Sequence, residues 1–237
     1  MKTVLRLVAL LVLCTLALQL AFVLRIALMA VVDPQSSTFQ RSEAWRLLVE
    51  KHQISWAQQW RPASALGQQL PRAVIASEDA GFTEHGGIEW DAVEKAWSRN
   101  QKAEARAARN PRRPPKLVGG STISQQLAKN LLLSGERNVL RKAQEAVLTL
   151  TLELLLSKQR ILEIYLNNVE WGEGLFGAQA AARYYFHADA TRLSAEQAAR
   201  LAVMLPAPKR FETNPASGYV IGRAATIVAR MNDVELP

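Results

Sequence analysis

Between Leu7 and Leu24 the chain carries no charged residue, and only Thr15 and Gln19 are clearly polar. With its flanks the apolar stretch runs from Val4 to Val32, interrupted by Arg6 and Arg25. A run of about 18 or more apolar residues can cross a bilayer as a helix. A cleaved leader is the alternative, but its apolar region is usually about 7–15 residues and ends in a small-residue cleavage site. No clean A-x-A site follows this run. The pattern therefore predicts an uncleaved anchor over residues 1–33. Lys2 and Arg6 precede the span and predict a cytoplasmic N-terminus. Arg25 near the far end weakens that asymmetry, although a long basic side chain can snorkel to the interface. The bulk of the chain is then expected outside the cytoplasmic membrane.

Asp33 to Thr38 reads as a short polar linker. Trp45, Leu47, Leu48, Ile54, Trp56 and Trp60 follow, which suits helical or interfacial packing in a membrane-proximal region, 34–64. A second unit, 65–237, has helical patterning. "LPRAVIASED" predicts a helix with Pro71 in its first turn. Thr122 and Gln125 in "GGSTISQQLAKN" have capping-box spacing. "RKAQEAVLTLTLELLLS" predicts a long helix that passes from amphipathic to buried, and Ser157 caps "KQRILEIYLNN". Ser194 and Gln197 form another capping box before "AARLAVML", which Pro206 and Pro208 close. Residues 99–116, "RNQKAEARAARNPRRPPK", are expected to form a mobile connection, because Pro111, Pro114 and Pro115 forbid a helix throughout. No sustained period-two alternation and no internal repeat appear, so the expected fold class is mostly α.

The 237 residues suffice for one sizeable core plus an anchor. The net charge is +8, and residues 99–116 carry seven Lys or Arg against one Glu. Such a balance points to an anionic partner: nucleic acid, lipid head groups or a phosphorylated substrate. Export by the anchor, and a basic run without aromatics, argue against nucleic acid. The one cysteine, Cys14, lies inside the span and allows no internal disulfide. His52, His85 and His187 form no HxxH or HExxH spacing, so no zinc site is predicted. No ligand set for a divalent cation is visible either, and the cofactor question stays open.

Three clusters carry candidate chemistry. In "EDAGFTEHGG" (78–87) Glu78 and Asp79 are adjacent, and burial beside a second carboxylate raises a carboxyl pKa, as a general base requires. Asp79 is the better candidate for a capping or salt-bridged structural acid. Phe82 is expected to pack, His85 to hydrogen-bond, and Gly86 and Gly87 to permit tight backbone. Two solvated surface acids are the bland alternative. In the second cluster, Gly119 and Gly120 lead into a helix start whose free N–H groups favour anions. Ser121 and Thr122 add hydroxyls there, and Gln125 and Lys129 share a helix face. An ordinary capped helix is the alternative reading. In "RKAQE" (141–145) Arg141 and Lys142 lie four and three residues before Glu145, so all three can meet on one side of a helix. A surface ion pair worth about 0–1 kcal/mol is the alternative there. A pair of carboxylates flanking a sugar leaving group is what glycosyl chemistry uses.

Five blocks in order, "EDAGFTEHGG", "GGSTISQQLAKN", "RKAQEAVLTLTLE", "RILEIYLNN" (160–168) and "GEGLFGAQAAARYYF" (172–186), resemble the glycosyltransferase domain of the bifunctional penicillin-binding proteins. The closest likeness is to its single-domain form, the monofunctional biosynthetic peptidoglycan transglycosylases. It covers about residues 65 to 231, and the chain's stop at Pro237, which leaves no room for a transpeptidase domain, agrees with the monofunctional form. The resemblance implies a lysozyme-like, two-lobed helical glycosyltransferase domain with a hydrophobic jaw at the membrane, behind an N-terminal transmembrane helix. It implies polymerisation of a lipid-linked disaccharide-pentapeptide. The growing glycan on undecaprenyl pyrophosphate is the donor, and the partners are that precursor, the glycan and membrane lipids. Cell-wall synthesis or division proteins are further partners it allows, and a Gram-negative inner membrane is the implied setting.

By position, Glu78 matches the family's general base and Glu145 its second glutamate, assisting at the donor side. Asp79, Phe82, His85, Ser121, Thr122, Gln125, Gln126, Lys129, Asn130, Arg141 and Lys142 match substrate-contacting positions. Ser124 stands where the family usually has threonine, and a hydroxyl is kept. The fourth and fifth blocks read as scaffold, with Arg160 and Glu163 in the core and Gly174 and Gly177 allowing close helix approach. A lytic enzyme of the same broad fold, and a non-enzymatic envelope scaffold, are the rival readings. The cationic second and third blocks speak against the first, and the presence of both glutamates against the second.

Overall fold

The computed structural model describes residues 1–109, 119–136 and 138–237. Helix α1 (Lys2–Leu28) follows the uncharged run, is long and apolar enough to cross a membrane, and leaves that window unburied. Its last third does not stand free. Gln19, Phe22, Ile26 and Met29 recur at helical spacing on the face that meets the rest of the protein. Arg160 fixes the exit from this helix, donating from Nε to the Met29 carbonyl at 2.8 Å and from Nη2 to Asp33 at 2.7 Å.

Helix α2 (Thr38–Lys51) begins at a Ser37–Gln40 capping box and buries Leu47 while exposing Trp45, Leu48 and Val49. Strand β1 (Ala57–Gln58) and helix α3 (Gln69–Glu78) come next. Pro71 is the third residue of α3, still in the first turn, where its missing N–H costs no helical bond. Helix α4 (Trp90–Arg109) corrects the reading of 99–116 as a non-helical connection. The Ala, Arg, Lys, Gln and Glu of residues 99–109 are good helix formers, and the restriction imposed by Pro111 reaches back only to its neighbour. Residues 110–116 of that run lie outside the described residues.

Helices α5 (Ile123–Leu132), α6 (Val139–Leu155) and α7 (Lys158–Asn168) carry the second, third and fourth blocks. Thr122 and Ser157 cap α5 and α7 as their spacing predicts, and α5 packs against α6 and α7. Strands β2 (Glu170–Gly172) and β3 (Leu175–Phe176) follow, then α8 (Ala178–Phe186), α9 (Ala195–Met204), α10 (Pro208–Phe211) and α11 (Gly218–Met231). The core forms where α3 packs on α9 and α11, and its largest fully buried side chains are Trp171, Tyr165, Phe82 and Phe176.

The fold is mostly α, as expected, with one correction. A three-stranded sheet of order β1-β3-β2 pairs β1 parallel and β2 antiparallel to β3. Strands of two or three residues are too short to show alternation in sequence. The turn between β2 and β3 requires Gly174. Its φ is +68°, and a Cβ there would sit 2.0 Å from the Ser55 carbonyl oxygen. That approach is to the loop before β1 rather than to a helix, whereas Gly177 does lie against the Asn167 backbone at the end of α7.

Candidate active site

The first block divides its two acids. Glu78 is the last residue of α3, half-buried, and Asp79 is the residue that ends the helix, 4% exposed. Asp79 Oδ2 accepts from the Ile123 N–H at 2.9 Å, and its Oδ1 lies 2.8 Å from His85 Nε2. The Gly87 N–H donates to His85 Nδ1, so Nε2 is the nitrogen left to donate to Asp79. Asp79 and His85 thus tie the first block to the start of α5, the structural part expected of them. Phe82 is fully buried under the Lys158 ammonium, 4.5 Å from its ring centroid, and supports the loop from inside.

Glu78 has different company. Gln126 Nε2 donates to Glu78 Oε2 at 3.0 Å, and Tyr165 OH donates to Gln126 Oε1 at 2.9 Å. Burial pushes the Glu78 carboxyl above its ordinary value and the Asp79 charge adds to this, against the hydrogen bonds from Gln126 and Ser77. The carboxyl is therefore a stronger base than a solvated glutamate.

Beside it lies a cavity of about 500 Å³. Its walls bring together Ser121, Gln125, Gln126, Lys129, Asn130, Arg141, Lys142 and Glu145, eight of the residues singled out by sequence. Glu78 meets this cavity through Gln126; Asp79, Phe82, His85 and Thr122 stand behind it. Glu145 is 2% exposed and carries two cations: Arg141 Nη1 at 2.8 Å and Lys142 Nζ. Arg141 Nε is buried with no hydrogen-bond partner among the described residues. Lys142 Nζ also reaches Ser121 Oγ at 3.5 Å.

One expected source of positive potential is spent elsewhere. The Ile123 N–H goes to Asp79 and the Gln125 N–H to Thr122 Oγ1, while the Thr122 N–H goes to Gln125 Oε1. Three amides at the start of α5 are thus taken by its own capping box and by Asp79, and Lys129, Arg141 and Lys142 line the cavity. Ser124 spends its hydroxyl on Glu153, itself paired with Lys158 at 2.8 Å, which is the structural use that a retained hydroxyl allows.

The cavity wall also holds Glu170, which the sequence did not single out. Burial pushes its carboxyl up to about 7, with the Glu43 and Glu212 charges adding and Lys209, 3.4 Å away, opposing. The fold disfavours the ionised form. Its contribution to stability is therefore fully present below the ordinary value of 4.5 and is lost as pH rises through about 7. Glu170→Gln should raise the melting temperature at pH 8, by an effect on the order of 2 kcal/mol, and leave it nearly unchanged at pH 5. A melting series across pH checks this; an unchanged or lower value at pH 8 would mean that pairing with Lys209 outweighs burial.

Asp79, His85 and Glu89 place ligand-type atoms within 4.8 Å of one another. Their capacity is largely taken, since both Asp79 oxygens and both His85 nitrogens are already hydrogen-bonded. The cluster therefore fits a hydrogen-bonded brace better than an ion.

Residues 48–232 match the family model described as Transglycosylase. Proteins named "Biosynthetic peptidoglycan transglycosylase" are similar over most of the chain. The Burkholderia thailandensis protein is 50% identical over 222 residues, 94% of this chain and 83% of its own length. The Bordetella pertussis protein is 50% identical over 205 residues, 86% and 82% of the two chains. The Paraburkholderia xenovorans protein is 47% identical over 222 residues, 94% and 88%.

Proposed function

This chain belongs to the transglycosylase family and is a peptidoglycan glycosyltransferase, and from that premise we propose the following course for its reaction. The growing glycan, held on undecaprenyl pyrophosphate, is the donor. The 4-hydroxyl of N-acetylglucosamine on the lipid-linked disaccharide-pentapeptide is the acceptor. Glu78 removes the acceptor's proton as its oxygen attacks the donor's anomeric carbon with inversion, and undecaprenyl pyrophosphate leaves. An alcohol is a poor nucleophile and needs a base of raised pKa. A pyrophosphate leaving group needs positive charge more than a proton donor, and Lys129, Arg141 and Lys142 supply it. Glu145 holds Arg141 and Lys142 in place for that task. Asp79 and His85 set the first block, and Ser121, Gln125, Gln126 and Asn130 contact sugar or phosphate.

The observation that carries this reading is a half-buried, raised-pKa carboxylate that Gln126 links to a cavity walled by a cationic group, whose buried Arg141 Nε has no hydrogen-bond partner among the described residues. The setting agrees with it. Helix α6 buries Glu145, Leu148 and Leu152 while exposing Leu140, Val147, Leu150 and Leu154, and α4 exposes Trp90 and Trp97. Apolar surface of that kind, on the same side chain stock as an apolar anchor, suits membrane lipid better than water. We place residues 1–33 in the inner membrane with a cytoplasmic N-terminus, 34–64 at its surface and 65–237 in the periplasm. Cell-wall synthesis or division proteins are partners this setting allows.

Purified full-length protein incubated with the lipid-linked precursor should yield long glycan chains and free undecaprenyl pyrophosphate. Shortening of pre-formed glycan without polymer formation would instead identify a lytic enzyme.

A further inference from the structure

Tyr165 reads from sequence as scaffold, and it lines none of the walls of the cavity. We propose that Tyr165 is a positioning residue for glycosyl transfer: its hydroxyl anchors the Gln126 amide whose NH₂ donates a hydrogen bond to Glu78. The inference rests on the reading of Glu78 as the general base.

The geometry fixes the direction of each bond. Tyr165 is 1% exposed on α7, and its OH lies 2.9 Å from Gln126 Oε1. An amide oxygen only accepts, so the phenol donates. With Oε1 held there, the NH₂ group must point the other way. It meets Glu78 Oε2 at 3.0 Å and the Ser121 carbonyl at 3.5 Å, both of them acceptors. An amide flipped by half a turn would set its oxygen against the Glu78 carboxylate and its NH₂ against a hydroxyl. A hydroxyl can donate or accept, so the two pure acceptors, the Glu78 carboxylate and the Ser121 carbonyl, set which way the amide faces, and the Tyr165 hydroxyl anchors the amide there by donating to Oε1. Burial, and then the charges of Glu78 and Asp79, hold the phenol well above its ordinary value, so the proton is present wherever the enzyme works.

The bland account is a buried tyrosine satisfying its hydroxyl on the nearest acceptor. That account gives the hydroxyl no influence on Glu78. The relay gives it a definite one. The Gln126 hydrogen bond is the larger of the two side-chain bonds that offset burial at Glu78. Without it the carboxyl rises further and is protonated over a wider range of pH.

The test is a pH–rate profile of the full-length protein on lipid-linked precursor. Tyr165→Phe keeps the ring and removes only the hydroxyl. It should lower kcat on the acid side of the profile by on the order of 10-fold and change KM less than kcat, since Tyr165 itself lines none of the cavity and reaches it only through Gln126. It should also move the acid limb of the profile to higher pH, so that activity recovers in alkali. Gln126→Leu should move that limb in the same direction, and adding Tyr165→Phe to Gln126→Leu should move it no further. An unmoved acid limb in folded Tyr165→Phe, or independent additive shifts in the double variant, would overturn the proposal. If Tyr165→Phe fails to fold, Gln126→Leu decides alone, and an unmoved limb there excludes the relay. Glu78→Gln separates the layers: if it is inactive while Tyr165→Phe titrates normally, only the relay fails, and if it is active, the base assignment beneath it fails.

Discussion

Glu78→Gln is expected to abolish glycan polymerisation in a protein that remains folded. The loss of a general base typically costs on the order of 10²–10⁴ in rate. The substitution is nearly isosteric, and a glutamine oxygen can still accept from Gln126 Nε2, now 3.0 Å from the carboxylate. Stability should hold or improve. The Glu78 pKa is raised in the fold, so its contribution to stability is present below the ordinary carboxyl range and lost as pH rises through the folded value. Above that value the neutral amide avoids a cost that the carboxylate bears. The expected pair of results at pH 8 is therefore no polymer and a melting temperature at or above that of the wild type. Near wild-type turnover in a folded Glu78→Gln protein would remove Glu78 from the mechanism. Loss of both activity and folding would mean that Glu78 is structural, the part that Asp79 fills beside it.

The division between these two neighbours was partly legible in the sequence. Two adjacent carboxylates at a helix end cannot share one environment, and the second proves to be spent on the Ile123 N–H and His85. Capping boxes were legible because they are local: Thr122–Gln125 and Ser194–Gln197 need three residues' spacing and nothing else. The Arg141–Lys142–Glu145 group was legible for the same reason, being set by helical periodicity. What the sequence hid depends on distance along the chain. Tyr165 and Gln126 are 39 residues apart, and nothing in "EIYLNN" marks that hydroxyl as facing the second block. Glu170 looks like any acid in a short strand until the fold buries it near Glu43, more than a hundred residues earlier. The use of the first α5 amides was hidden for a related reason. A helix N-terminus offers amides to an anion only if no protein acceptor claims them, and Asp79 arrives from 44 residues away to do so.

With three amides at the start of α5 committed, the leaving group depends chiefly on side-chain cations, and removing two of them should be costly. Arg141→Ala with Lys142→Ala is expected to weaken binding of undecaprenyl pyrophosphate by on the order of 10²–10⁴-fold, from two charge-assisted hydrogen bonds worth about 1.5–3 kcal/mol each. The double variant alone is ambiguous, because it strands the Glu145 carboxylate, 2% exposed, without the partners that now hold it. Breaking a buried pair in this way costs about 3–5 kcal/mol of stability. Adding Glu145→Gln removes the stranded charge and should restore most of the melting temperature. Binding should stay lost in that triple variant, since the cations are still missing. Glu145→Gln by itself should keep undecaprenyl pyrophosphate binding, because Arg141 and Lys142 remain, and should slow transfer, because Glu145 no longer holds the two cations in place. A neutral soluble sugar fragment should bind all four proteins alike. If the triple variant regained both stability and pyrophosphate binding, the two cations would serve only to neutralise Glu145, and the positive charge at the leaving group would have to come from Lys129 and the rest of the cavity wall.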